Sequence, residues 1–539
     1  MCVAVAALRR NARSIRAFVT LLSLVVSGCE VGPDFATPSA PVADKYLESG
    51  NASVQSDRQE YREWWTVFHD PTLDRLIKIA YDQNLTLLAA GTRVLEARAQ
   101  LGVAIGDFYP QLQEGNGSLD FVHSGKANST ANPAFPTGNF WRASLGVQIA
   151  WELDFWGKFR RGVESADAAY LASIASYDDV LVTLLGDVAT TYIGIRTLQA
   201  QIEIARENVA RQQKALEIAE RRFKGGVVTG LDVYQAQNVL GATEATIPQL
   251  TIQLQQGFNA LCVLLGLPPK DLSDLLAGSS GIPIAPKDVA VGIPADLLRR
   301  RPDIREAELQ AAAQSAQIGI AESDLYPAFT IGGSLGLVSS NVDDSTLGDM
   351  FTHKGLFYFV GPSFHWNILN YGQITNNVRA QDAQFQSLLV NYQNTVLKAQ
   401  QEVENGISTF LQSRDQVDDL HMSVTAANAA LTVATYQYKL GTRDFTTVLT
   451  AEQNLLQAEN SLTVASGNVS IGLASVYRAL GGGWQIREGS DFVPAPTREE
   501  MRARTDWGEL LPPANEPQPQ SPGLPSPEDR GPNIRAPQW

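Results

Sequence analysis

A seven-residue repeat constrains this chain more than any other feature. Every seventh residue from Leu181 gives Val188, Ile195, Ile202, Val209, Leu216 and Phe223, and the same walk from Val396 gives Val403, Phe410, Val417, Val424, Leu431 and Tyr438. Not one is charged. Held without proline, such a pattern marks long helices wound against neighbours rather than helices of a compact core. Gly157 to Phe223 and Gly372 to Tyr438 each cover 67 residues (223 minus 156, 438 minus 371), about 100 Å at 1.5 Å per residue. No compact domain is that wide. A second seam, Leu184, Thr191, Leu198, Ala205, Gln212 and Ala219, then Ala399, Gly406, Ser413, Leu420, Ala427 and Ala434, is rich in small side chains. It suits close packing in a many-helix wall, the alternative being a plain two-helix rod.

The two long stretches belong to an internal duplication. Ala99–Pro110 aligns with Ala316–Pro327 at an offset of 217, with seven of twelve positions identical. At an offset of 215, Trp151 meets Trp366, Gly157 meets Gly372, Gly226 meets Gly441 and Leu265-Gly266 meets Leu480-Gly481. One plan is used twice. The first copy spans 72–266, with a helix begun by Asp70-Pro71 and running to about Phe108, a hairpin over 112–153, the long helix 157–223 and a helix over 231–265. The second spans 296–483, with a hairpin over 328–368, the long helix 372–438 and a helix over 446–480. Pro248 is expected to kink the first of the shorter helices. The segment 267–295, rich in Pro, Gly and Ser, reads as an irregular linker. Eleven of the 27 prolines lie beyond Phe492, and 484–539 reads as a disordered tail.

The hairpins alternate. Trp141, Ala143, Leu145, Val147, Ile149 and Trp151 share one face, and Arg142, Ser144, Gly146, Gln148, Ala150 and Glu152 share the other. Apolar-out and polar-in is the pattern of strands in a membrane barrel. Phe329, Ile331, Gly333, Leu335 and Leu337, then Leu356, Tyr358, Val360, Pro362, Phe364 and Trp366, repeat it. Trp151, Phe155, Trp156, Trp366 and Tyr371 stand where strands hand over to long helices and form a candidate aromatic girdle. Four strands cannot close a barrel, so the chain must oligomerise.

Arg9, Arg10, Arg13 and Arg16 precede an apolar run from Ala17 to Val26, then Ser27-Gly28-Cys29. That is a secretory signal over 1–28, too short to span a bilayer, with a small-residue cut site directly before cysteine. The mature chain is expected to start at Cys29, with a lipidated segment over 29–71. Cys2 leaves with the signal, which leaves Cys262 without a disulfide partner. Losing the four arginines takes the formal charge from −15 to −19, which argues against a nucleic-acid partner.

Gly28-Cys29-Glu30-Val31-Gly32-Pro33-Asp34-Phe35, Trp64-Trp65 through Asp70-Pro71, the run WELDFWGKFRR (151–161) and GIPADLLRRRPDIREAE (292–308) resemble the outer-membrane factor family, TolC- and OprM-like, and its NodT-type efflux lipoprotein branch in particular. The resemblance runs from Cys29 to about Gly483. It implies an α+β membrane protein: a homotrimer whose 12-stranded barrel in the bacterial outer membrane continues into a 12-helix periplasmic tunnel. It also implies lipid on Cys29 and docking to an inner-membrane RND-type pump through a periplasmic adaptor. By match, Asp232, Tyr438 and Arg443 form a periplasmic gate latch, and Gly225, Gly226, Val227, Leu440, Gly441 and Thr442 form adaptor-contacting tips. Thr447 and Thr450 stand where TolC places acidic, pore-facing residues, so an acidic constriction is not expected.

No catalytic residue, metal site or cofactor is expected. His69, His123, His353, His365 and His421 lack metal-ligand spacing, and Gly332-Gly333-Ser334-Leu335-Gly336 fits a nucleophile elbow only formally, because it lies in an alternating strand with no helix after it. The reading is a passive exit duct for small toxic compounds. Polypeptide export of the type I kind is the alternative within the same architecture, and a structural lipoprotein spacer or an esterase are the alternatives outside it.

Overall fold

The computed structural model describes residues 30–55, 61–125, 137–292, 294–342 and 346–511. The signal, Cys29 and the tail beyond Leu511 lie outside the described residues. An extended N-terminal segment leads through β1 (Val54–Gln55) and a 3-10 turn at Trp64–Phe68 into α1 (Pro71–Gln83). Asp70 caps that helix, accepting from the Thr72 and Leu73 amides at 2.9 and 3.3 Å, and Pro71 sits where a missing N–H costs nothing. The expected continuous helix to Phe108 is interrupted once. Buried Asn84 ends α1, accepts from the Leu87 amide at 2.8 Å to start α2 (Leu85–Phe108), and donates to the Leu264 carbonyl at 2.9 Å. Its side chain thereby replaces the helical bonds that a break leaves open.

Next come β2 (Leu112–Ser124), β3 (Gly138–Leu153), α3 (Lys158–Lys224) and α4 (Gly230–Leu264). The linker is irregular apart from α5 (Ser273–Leu276) and β4 (Val289–Ala290), the latter paired parallel with β1. The second copy follows as α6 (Leu297–Arg300), α7 (Pro302–Ser323), β5 (Ala328–Ser340), β6 (Leu356–His365), α8 (Gln373–Lys439) and α9 (Phe445–Ala479). α3 and α8 are 67 residues each, and α4 and α9 are 35 each. Pro248 does not divide α4, which runs past it as one helix.

The four long strands make one antiparallel sheet in the order β2-β3-β5-β6. Its register puts Gly117, Leu145, Leu337 and Leu356 in one row and Gly115, Val147, Leu335 and Tyr358 in the next. These rows lie on the apolar face, whose large side chains are exposed apart from half-buried Leu337. The opposite face carries Asp120, Arg142 and Ser340 in one row, but Phe359 shares another with Ser334, Gln148 and Glu114, so that face is not uniformly polar. Among the described residues, the two edges, β2 and β6, are left open.

The main core lies where α1, α2, α3, α8 and α9 converge, around Leu181, Leu185, Tyr192, Phe410 and Leu473, with Trp64 stacked on Tyr477 at 5.4 Å. α3 contains one window apolar enough by composition to pass for a membrane span. Burial against its neighbours covers 44% of that window. The heptad seam is buried down to Ile202, yet its last member, Phe223, is exposed.

The tail reading is corrected for 484–511. This segment forms a 3-10 turn at Trp484–Arg487 and α10 (Ala495–Arg504), with Val493, Met501 and Leu511 packed on Leu95. Arg487 pairs with Asp178, and the chain crosses α2 so closely that a Cβ on Gly91 would stand 2.1 Å from the Phe492 carbonyl oxygen. High proline content hid a strap whose few apolar anchors are far apart in sequence.

Candidate functional site

Both helix tips are built alike. α3 ends with the Gly226 amide bonded to the Phe223 carbonyl at 2.9 Å and Val227 to Arg222 at 3.0 Å. α8 ends with Gly441 bonded to Tyr438 and Thr442 to Gln437, both at 3.0 Å. This is the Schellman stop, which needs a left-handed residue, and Gly226 and Gly441 supply it at φ +72° and +76°. Thr229 and Asp444 then cap α4 and α9. The expected tip residues Gly225, Gly226, Val227, Leu440, Gly441 and Thr442 are all exposed. Exposed Leu231 and Tyr234 extend the same surface. Leu231 belongs to the run Phe223–Asp232 that resembles the family's tips, whereas Tyr234, two residues beyond it, is not among the expected residues.

Two of the three expected latch residues meet. The Tyr438 hydroxyl donates to Asp232 Oδ2 at 3.0 Å, tying α8 of the second copy to α4 of the first. Tyr438 is only 2% exposed, with its ring 4.9 Å from that of Phe445. Burial, and then the Asp232 carboxylate, push its hydroxyl up to about 12, so it remains a donor at physiological pH. Arg443 does not join them within the chain. It is exposed and, among the described residues, acts only at a distance on Asp444, the α9 cap. The cation beside Tyr438 is Arg222 instead: its guanidinium lies 4.4 Å from the Tyr438 ring centre and donates to the Tyr438 carbonyl. Nothing in the repeat pattern distinguished it.

Thr447 and Thr450 are exposed on α9. Thr447 donates to Asp444 Oδ1 at 2.6 Å and Thr450 to the Thr446 carbonyl at 2.9 Å. They line a groove of about 910 Å³ between α8 and α9 whose other polar members include Ser423, Asn454, Gln457 and Ser461. Among the described residues, Asp444 is the only charged one lining it.

The opposite end of the long helices holds the N-terminal segment. The Val31 amide donates to the Trp156 carbonyl at 3.1 Å. Arg161, 3% exposed, is bonded to the Val31 and Gly32 carbonyls and to Asp34 and Glu164, and pairs with Glu30 at 3.2 Å. Gly157 and Gly319 complete this slot, since a Cβ on either would overlap Glu30 or the Val31 carbonyl oxygen. Two separate sequence motifs, VGPDF and WGKFRR, thus form one contact. Around it, Trp151, Trp366 and Tyr371 are exposed, whereas Trp156 stacks on Tyr326 at 4.7 Å and Phe155 packs edge-on against Phe329 at 5.1 Å. In the RRRPDI motif, Arg301 pairs with Asp303 and Glu402 and donates to the Ala479 carbonyl at 2.8 Å, joining α7, α8 and α9.

A sheet with an exposed apolar face and two 67-residue helices leaving its rim defines a membrane channel subunit. The comparisons agree. The family model "Outer membrane efflux protein" matches residues 76–267 and 293–482, the two copies of the duplication. Nodulation protein T of Rhizobium leguminosarum bv. viciae is 30% identical over 472 residues, covering 87% of this chain and 94% of that protein. Cation efflux system protein CusC of Escherichia coli O6:H1 is 28% identical, covering 86% and 98%. The solved outer-membrane channel OprN superposes with a TM-score of 0.79 at 32% identity, covering 85% of this chain and all of that one. The chain belongs to the outer membrane efflux protein family, whose members are transport ducts and not enzymes.

Proposed function

We propose that three copies of this chain close one 12-stranded barrel and one 12-helix tunnel, forming the outer-membrane exit of a tripartite pump. The observation that carries this is the sheet: apolar in register on one face and unpaired at both edges. Open strand edges cannot persist in hydrocarbon, where each unsatisfied backbone group costs several kcal/mol, roughly 2 to 7. Closure on identical copies removes them. The exposed tips are the docking surface for a periplasmic adaptor, and through it an RND-type pump. Relatives named for cation, toluene and pyoverdine export point to small compounds as cargo.

Cys29 carries the lipid. Its neighbour Glu30 is held at the junction of sheet and helices, the level at which acyl chains meet a membrane. The gate latch is Asp232 with Tyr438 inside each chain, and Arg443, unpaired in its own chain among the described residues, completes it across the boundary between copies. Thr447 and Thr450 form a hydroxyl-lined collar at its level, beside Asp444. Light scattering of the detergent-solubilised protein tests the assembly: a mass of three chains is expected, and a stable monomer overturns the reading.

A further inference from the structure

Among the described residues, the seam between α3 and α9 carries polar groups that this packing leaves unsatisfied. Glu452 on α9 is 4% exposed, and its Oε2 has no hydrogen-bond partner. Gln212 on α3 is 2% exposed, with neither amide atom bonded. Arg211 Nε and Asn460 Oδ1, in the same seam, are also without partners. Buried polar groups in native proteins are almost always satisfied, and a wall rich in alanine and leucine has no structural need of a carboxyl. Such a cluster is what one half of a two-state contact looks like when its other half exists in a second arrangement.

The charges around Glu452 are few. Arg211 from α3 is committed elsewhere, to Glu459 at 2.7 Å and Glu207 at 3.8 Å. α4 offers Ala236 and Val239 to the adjoining cluster, and α8 offers Leu431, Ala434 and Tyr438, whose hydroxyl is bonded to Asp232. Glu452 lies seven residues into α9 from Phe445, about 10 Å above the tip. Any parting of the periplasmic ends must pass through this level.

We propose that Glu452 is a protonation-linked switch of the gate: neutral in the closed seam seen here, ionised and hydrated once α3 and α9 separate, so that opening releases a proton. This rests on the duct reading above. Burial raises the carboxyl from its ordinary 4.5 to about 7, with Arg211 opposing only in part. A group whose value is raised in the closed state favours that state fully below the ordinary value. The preference fades as pH rises through about 7. Closure is therefore weakened by up to roughly 300-fold per chain between pH 4.5 and 7, with little change above.

The aligned residue of the first copy, Gln237, is exposed on α4, so burial of a polar side chain at this station belongs to the second copy alone. The test uses full-length protein in planar bilayers, with wild type beside Glu452→Gln and Glu452→Leu. Wild-type open probability is expected to rise at least tenfold from pH 5 to 7.5, and both variants are expected to stay at the low value throughout. A second readout does not depend on conduction: infrared difference spectra should show a protonated carboxyl band that disappears near pH 7 in wild type and is absent from Glu452→Gln. An unchanged pH response in both variants, or a band titrating near 4.5, overturns the switch. Absence of conductance even in Asp232→Ala, with the band titrating near 7, counts against the duct and leaves the buried, protonated Glu452 standing.

Discussion

Replacing Tyr438 by Phe removes one hydroxyl from the latch and nothing else. The ring keeps Phe445 at 4.9 Å and the Arg222 guanidinium at 4.4 Å, so packing at the tip is preserved. What goes is the 3.0 Å bond to Asp232. Hydrogen bonds to an ionised carboxylate contribute about 1.5 to 3 kcal/mol. Asp232 is half-buried, which places this one near the lower end, about 1.5 kcal/mol or roughly tenfold per chain. In the proposed trimer, three copies opening together would multiply that to roughly a thousandfold in the open-to-closed ratio. Because burial and Asp232 hold the hydroxyl near 12, the effect is expected to be the same from pH 5 to 9. Single-channel recording of wild type and Tyr438→Phe in planar bilayers reads it directly. Equal open probability in two folded, trimeric proteins would refute the latch and leave the tips as a docking surface alone.

Arg161→Ala is expected to release residues 30–34 from their slot, since one buried guanidinium holds two carbonyls and three carboxylates there. The N-terminal peptide should keep its wild-type mass in mass spectrometry while protease cleavage near Asp34 speeds at least tenfold, and protection equal to wild type would remove Arg161 from that role. Gly472→Val tests the closest approach of α8 and α9, where a Cβ would stand 2.9 Å from the Phe410 nitrogen. Overpacking against backbone costs roughly 1 to 3 kcal/mol, so a clear drop in the thermal midpoint is expected, and an unchanged midpoint would mean that the helices sit farther apart.

What the sequence made legible follows from repetition. Heptads announced the helices because a seam buried along a long helix must repeat its chemistry every two turns, and alternation announced the strands because a sheet with one apolar face repeats every two residues. Features made by one residue meeting a distant one were not legible. Asn84 splits a helix by reaching the Leu264 carbonyl, and the strap over 484–511 is held by contacts to Leu95, Gly91 and Asp178. Gln212 stood in the second seam from the start. Its lack of a partner depends on the stagger of α3 against α9, which a heptad leaves free.

The Tyr438–Asp232 contact shows why duplication alone is a poor guide to local chemistry. At an offset of 215, Tyr438 corresponds to Phe223 and Asp232 to Thr447. The first copy therefore has the ring without the hydroxyl, and the second has a threonine where the carboxylate would stand. Symmetry would predict two latches per chain, one on each long helix, but the chemistry permits one. Phe223, with no polar group to satisfy, is exposed at its tip, while Tyr438 is buried and bonded. Arg222, whose counterpart is Gln437, adds its cation to the bonded side only. Introducing the missing pair, Phe223→Tyr with Thr447→Asp, is then a poor way to tighten the gate: Tyr438 owes its position to Phe445 and Arg222, and position 223 has no corresponding cation.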